Sequence, residues 1–148
     1  MLKETLNENL VSVDLAGRDK PSIIKALLDI LCRTGKVLDP EGALQDLLVH
    51  EAEMSTGMEN GIAIPHVKTD TVNELVACVG VSRRKINFES LDRQPSRIFI
   101  MTLSPKGSAG PHARFLSDIA RVLKDAKVRK RILKAKSNEQ LLEILTSE

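Results

Sequence analysis

Ser55-Thr56-Gly57-Met58-Glu59-Asn60-Gly61-Ile62-Ala63-Ile64-Pro65-His66 is the stretch on which the reading of this chain turns. Its first half is small, polar and flexible and cannot sustain a helix. Its second half is the short apolar run Ile62-Ala63-Ile64, which reads as a strand. Pro65 is expected to stop that strand and leave His66 at the rim of a sheet, where sites on α/β folds form. The hydroxyls of Ser55 and Thr56, the Asn60 amide and the backbone that Gly57 and Gly61 leave open are suited to surround an anion such as a phosphoryl group. On spacing alone, a histidine after a proline at a strand end is more often a plain polar surface residue.

Outward from this stretch the chain alternates helical and strand patterns. Toward the N-terminus, Ile23, Ile24, Leu27, Leu28 and Leu31 recur at helical spacing between Asp19 and Gly35, with Pro21 near the start. A second helix opens at Asp39, whose carboxylate can cap free amides while Pro40 sits where its missing N–H is harmless, and Leu44, Leu47 and Leu48 are its expected buried face. Toward the C-terminus, Leu75 to Val81 and Ser96 to Leu103 read as strands, with a short strand Ile86-Asn87-Phe88 between them. The segment from Ser104 to Pro111 is a loop by composition. The helical period restarts with Phe115, Leu116, Ile119, Ala120 and Leu123, which places His112 in a first helical turn. Two further helices fit Lys127 to Ala135 and Asn138 to Leu145, the latter capped by Ser137. This order predicts an α/β fold: a single three-layer domain over residues 1–148, with a mixed central β-sheet flanked by helices on both faces.

Composition narrows the function classes. A chain of 148 residues that is 42% hydrophobic has enough apolar content for one core. No segment stays uncharged long enough to cross a bilayer, so no membrane insertion is expected. Cys32 and Cys78 suit small buried hydrophobes better than a disulfide framework, which fits the reducing cytoplasm. Trp and Tyr are absent and Phe88, Phe99 and Phe115 are the only aromatic rings of that kind, which argues against base-stacking or sugar-stacking clefts. The formal net charge of +2 does not point to nucleic acid for the chain as a whole.

Chemistry near neutral pH falls to three histidines, His50, His66 and His112. His112 opens a helix, where unsatisfied amides and the positive end of the dipole favour negative charge, although a simple helix-start residue would look the same. His50 lies near the end of the second helix, where a charged ring meets the dipole favourably. No His-x-x-x-His or paired-cysteine spacing suggests a metal, and neither metal nor cofactor is expected.

The quoted stretch resembles the S-T-G-x-x-N-G-I-A-I-P-H signature of the type-2 enzyme IIA domains of the phosphoenolpyruvate-dependent phosphotransferase system, the fructose, mannitol and nitrogen-regulatory family. His112 to Leu116 matches the family's H-x-x-x-L helix opening, and the likeness runs from the first amphipathic helix to the last. The resemblance implies a cytoplasmic phosphotransferase in which His66 accepts a phosphoryl group from a phosphocarrier protein. The group then goes to a sugar-specific IIB partner, or the phosphorylation state itself regulates a target. As a domain standing alone, the chain leans toward the nitrogen-related branch. The resemblance makes His66 and His112 catalytic and assigns His50, Ser55, Thr56 and Asn60 to the phosphoryl pocket. The chain departs from the family at His50, where an arginine is usual, and at Glu59 and Val67, where glycine is usual. His50 thereby replaces a permanent forked cation with a ring whose charge depends on pH, and Glu59 adds a carboxylate beside a site for a dianion.

Two rivals stand beside this reading. Lys124, Lys127, Arg129, Lys130, Arg131 and Lys134 make the segment 121–136 basic enough for a nucleic-acid surface, with a solvated helix face or a dock for an acidic protein as the plainer accounts. The other rival is a regulatory protein-binding module without transfer activity, motivated by the three departures.

Overall fold

The computed structural model describes residues 2–147. Its sheet is built on two long strands, β4 (Val76–Ile86) and β5 (Ser96–Ser104), paired antiparallel. On one side β1 (Val11–Ser12) runs parallel to β4; on the other, β2 (Ile62–Ala63) and β3 (His66–Lys68) run parallel to β5. The sheet is therefore mixed, and β2 and β3 lie on its edge.

Both faces are covered, as nearly every residue of β4 up to Ser82 and of β5 is buried. On one face lies α2 (Lys20–Cys32), which buries Ile23, Ile24, Leu27, Leu28, Ile30 and Leu31. Its contact is close: Cys78 of β4 donates its thiol to the Leu27 carbonyl (3.5 Å), and a Cβ at Gly80 would lie 3.2 Å from the Leu27 side chain. Burial raises the Cys78 thiol far above the ordinary range, and both cysteines are free. The helix starts where Asp19 accepts from the Ser22 N–H in a capping box. On the opposite face lies α4 (Gly110–Leu123), joined to β5 by His112 and Thr102 and burying Phe115 and Ile119. α3 (Pro40–Glu53) packs on α2 and against β3, while α5 (Ala126–Lys134) and α6 (Asn138–Thr146) close the α4 side, with the short α1 (Leu2–Thr5) beside them. One hydrophobic cluster runs through all these layers, the three-layer arrangement expected.

Three local expectations need correction, and one strand had not been expected. Pro65 interrupts the edge strand without ending it, because β2 and β3 keep one register on β5 (Ile62 opposite Ile98, His66 opposite Thr102). Proline removes the donor of one ladder bond, yet its carbonyl still accepts from the Thr102 N–H at 3.1 Å, and an edge strand tolerates that loss. Ile86 is the end of β4 and not the start of a separate strand: the exposed run Arg83-Arg84-Lys85 hides the pattern, and an irregularity in pairing between Val81 and Ile86 absorbs the extra residues. The two-residue β1 is too short to carry a periodic signal. On α3 the buried stripe is Ala43, Leu47 and Glu51, while Leu48 is 38% exposed.

Candidate functional site

His66 is half-buried on β3. Its Nδ1 lies 2.6 Å from the carbonyl oxygen of Ile64. A carbonyl can only accept, so Nδ1 carries the ring proton and donates, and Nε2 is left with its lone pair. The ring is thus held in one tautomer and one orientation by the backbone just before Pro65.

Two further imidazoles flank it, each from a different element. His50 on α3 has its ring centroid 5.0 Å from that of His66, and His112 on α4 has its centroid at 5.7 Å. Chain positions 50, 66 and 112 therefore meet at the sheet edge. His112 shares a 2.9 Å hydrogen bond between Nε2 and Thr102 Oγ1, and Thr102 is the register partner of His66 on β5. Burial, and after it the electrostatic influence of His66 and then Lys68, lowers the His112 pKa below the ordinary histidine value. The Nδ1 of His50 is buried and has no hydrogen-bond partner, which leaves a polar atom of this ring unmatched by the protein. Among the described residues no three His, Cys, Asp or Glu side chains are placed to hold a metal ion together.

The residues before His66 form a β-hairpin. Asn60 (φ 63°) and Gly61 (φ 76°) are both left-handed, and the Ile62 N–H donates to the Glu59 carbonyl at 3.3 Å, a type I′ turn for which Asn-Gly is the favoured pair. Cross-strand bonds follow from the Met58 N–H to the Ile62 carbonyl (2.8 Å) and from the Ile64 N–H to the Thr56 carbonyl (3.0 Å). Gly57 is required for packing: a Cβ there would lie 2.7 Å from both the Phe88 carbonyl oxygen and the Ser90 Cα.

The site residues expected from this stretch separate accordingly. Ser55 Oγ donates to the Phe88 carbonyl (2.7 Å) and Thr56 Oγ1 to Glu51 (2.6 Å), so both hydroxyls are engaged within the protein. Asn60 is exposed at the hairpin tip, with its N–H on Asp92 (3.1 Å), and Glu59 is exposed beside it. Sequence reasoning missed Lys20 and gave Glu51, which falls with His50 on the family's Arg-Glu pair, no role in the site. Lys20 reaches Glu51 (2.9 Å), Glu89 (3.1 Å) and Ser55 Oγ (3.3 Å) over the Phe88 ring. The spacing of Ala43, Leu47 and Glu51 on one helix face could have revealed the buried carboxylate; Lys20 carried no signal. In the basic segment, Arg129 donates to the carbonyls of Leu123 (2.7 Å) and Lys124 (3.0 Å) and so closes α4, while Lys127, Lys130, Arg131 and Lys134 are exposed.

A sheet-edge imidazole of fixed tautomer thus stands between two more on a mixed α/β sandwich. The chain belongs to the family described as phosphoenolpyruvate-dependent sugar phosphotransferase system, EIIA 2, whose model matches residues 4–148. It is 34% identical over 136 residues to the PTS system fructose-specific EIIA component of Haloferax volcanii, covering 92% of this chain and 88% of that protein. It is 29% identical over 144 residues to the PTS system fructose-specific EIIABC component of Bacillus subtilis, covering 97% of this chain but only 23% of that longer protein. Its fold is that of nitrogen regulatory protein IIA-Ntr from Neisseria meningitidis, with a TM-score of 0.88, 24% identity and 97% of each chain covered. The Escherichia coli mannitol enzyme IIA, solved as a complex with phosphorylated enzyme IIB, matches with a TM-score of 0.82 at 20% identity, over 97% of this chain and 98% of that one.

Proposed function

We propose that this domain is a phosphoryl carrier whose acceptor atom is Nε2 of His66. The observation that carries the reading is the hydrogen bond from His66 Nδ1 to the Ile64 carbonyl, which leaves Nε2 as the basic nitrogen. In the transfer, the Nε2 lone pair attacks phosphorus in line with the donor's N–P bond. That bond breaks, and its electron pair returns to the donor imidazole of a phosphocarrier protein. The positive charge that the His66 ring takes up is delocalised onto Nδ1–H, where the Ile64 carbonyl stabilises it.

His50 and His112 stand on either side of the ring and donate to the oxygens of the transferred group. Thr102 orients His112 for this. Ser55 and Thr56, whose hydroxyls are engaged within the protein, and Asn60, which supplies the turn, serve the pocket by shaping the hairpin. The phosphoryl group then passes to a IIB-type protein or marks a regulatory state. The work is done in the cytoplasm, with no metal or cofactor. No helix of the described residues is long and apolar enough to cross a membrane.

Incubation with labelled phosphoenolpyruvate and the two upstream carrier proteins tests the reading. Acid-labile label is expected on the wild type and not on His66→Gln. Equal label on both proteins, or none on the wild type, refutes it.

A further inference from the structure

The carbonyl that holds His66 is the last link of a chain that begins at a buried carboxylate. Glu51, its side chain only 5% exposed, occupies the third position of the buried stripe of α3, where an apolar residue would pack at least as well. A carboxylate in such a place is tolerated only when its charge and lone pairs are matched. Glu51 is matched by Lys20 Nζ at 2.9 Å and by two donors of a single residue, the Thr56 N–H at 2.8 Å and Thr56 Oγ1 at 2.6 Å. Two bonds to one residue set both its place and its orientation. The Thr56 carbonyl then accepts from the Ile64 N–H at 3.0 Å, and the Ile64 carbonyl accepts from His66 Nδ1 at 2.6 Å.

We infer that Glu51, held by Lys20, is a positioning residue for phosphoryl transfer: through Thr56 and the hairpin it aims the Ile64 carbonyl at Nδ1 and so keeps Nε2 of His66 unprotonated. Glu51 makes no hydrogen bond to the ring and acts only by this relay of backbone and hydroxyl groups. Lys20 strengthens it from the other side, since its contact with Ser55 Oγ and the Ser55 bond to the Phe88 carbonyl clamp the residue next to Thr56. The inference rests on His66 being the phosphoryl acceptor.

The test pairs nitrogen-15 NMR of the histidine side chains with steady-state phosphotransfer from a phosphohistidine carrier protein. The proteins compared are the wild type, Glu51→Gln, Thr56→Val, which removes only the hydroxyl donor to Glu51, and Thr56→Ser, which keeps it. The wild-type neutral ring of His66 is expected as the Nδ1–H form. In Glu51→Gln and Thr56→Val the Nε2–H form appears and kcat falls roughly tenfold or more, the scale of a small misplacement of a reacting atom. KM stays within about twofold, because a loss confined to the reacting atom leaves uniform binding intact. Thr56→Ser retains the wild-type spectrum and rate. A folded Glu51→Gln or Thr56→Val with the wild-type tautomer and kcat overturns the inference, as does a loss carried wholly by KM. If Glu51→Gln does not fold, Thr56→Val decides. A wild type that takes no label refutes the carrier reading instead, and the tautomer comparison still tests the hold of Glu51 on the ring.

Discussion

Gly57→Ala places a methyl group where the hairpin meets the turn after β4. The added Cβ would lie 2.7 Å from the Phe88 carbonyl oxygen and from the Ser90 Cα, against 3.4 Å for an ordinary contact, so the two segments must part by about 0.7 Å. Both neighbours are backbone and cannot rotate away. Overpacking of this kind costs about 2 kcal/mol. For a domain of this size that lowers Tm by roughly 4–8 °C. The displacement has a second effect, because Gly57 bridges Ala63 across the hairpin, one residue before the carbonyl that holds His66. Misplacing a reacting atom by about 1 Å can cost ~100-fold in rate, so transfer to His66 should slow by more than the loss of folded protein explains. Thermal unfolding by circular dichroism gives the first quantity, and label transfer measured well below the new Tm gives the second. A Gly57→Ala protein with wild-type Tm and wild-type transfer would refute the packing argument. A lowered Tm with an unchanged rate would refute the link from hairpin to imidazole.

Asn60→Ala should lower stability by about 1 kcal/mol in a denaturant melt, since alanine pays for the left-handed conformation that asparagine accepts, whereas Asn60→Gly should be close to neutral. The His112 side-chain resonance should titrate with a midpoint below the ordinary histidine value of 6.5, and His66→Gln should move it upward but not to 6.5, because burial remains the larger cause. With the folded-state pKa depressed, stability from neutral His112 is complete above about pH 6.5 and is lost as pH falls through the folded value, so Tm should drop on acidification less steeply in His112→Gln than in the wild type. Arg129→Met removes two bonds to the end of α4 and should cost about 1 kcal/mol in thermal unfolding while leaving transfer to His66 unchanged.

The helices were legible because their apolar period and caps are local. Asp39 and Ser137 cap where the sequence placed them, and the stripe of α2 is buried as written. The histidines were singled out by scarcity, since three rings were the only candidates near neutral pH, and the structure brings all three to one place. The relation between residues far apart in the chain was not legible. Nothing near Lys20 announces that it will meet Glu51, and the clustering of His50 with His112 depends on how α3 and α4 cross the sheet edge. The polar residues before His66 also misled in one respect. Their hydroxyls and glycines suit an anion pocket by type, but the same types build a type I′ hairpin, and only three-dimensional packing shows those hydroxyls turned to Glu51 and Phe88.

Thr102 lies on β5, one strand in from the edge, and both the Pro65 carbonyl and His112 depend on it. On the proposed reading, a carrier handled by two different proteins in turn must offer its nucleophile in the same place at both encounters. Anchoring the rings to an interior strand ties their alignment to the least labile part of the molecule, so neither visitor has to organise the site before exchange begins.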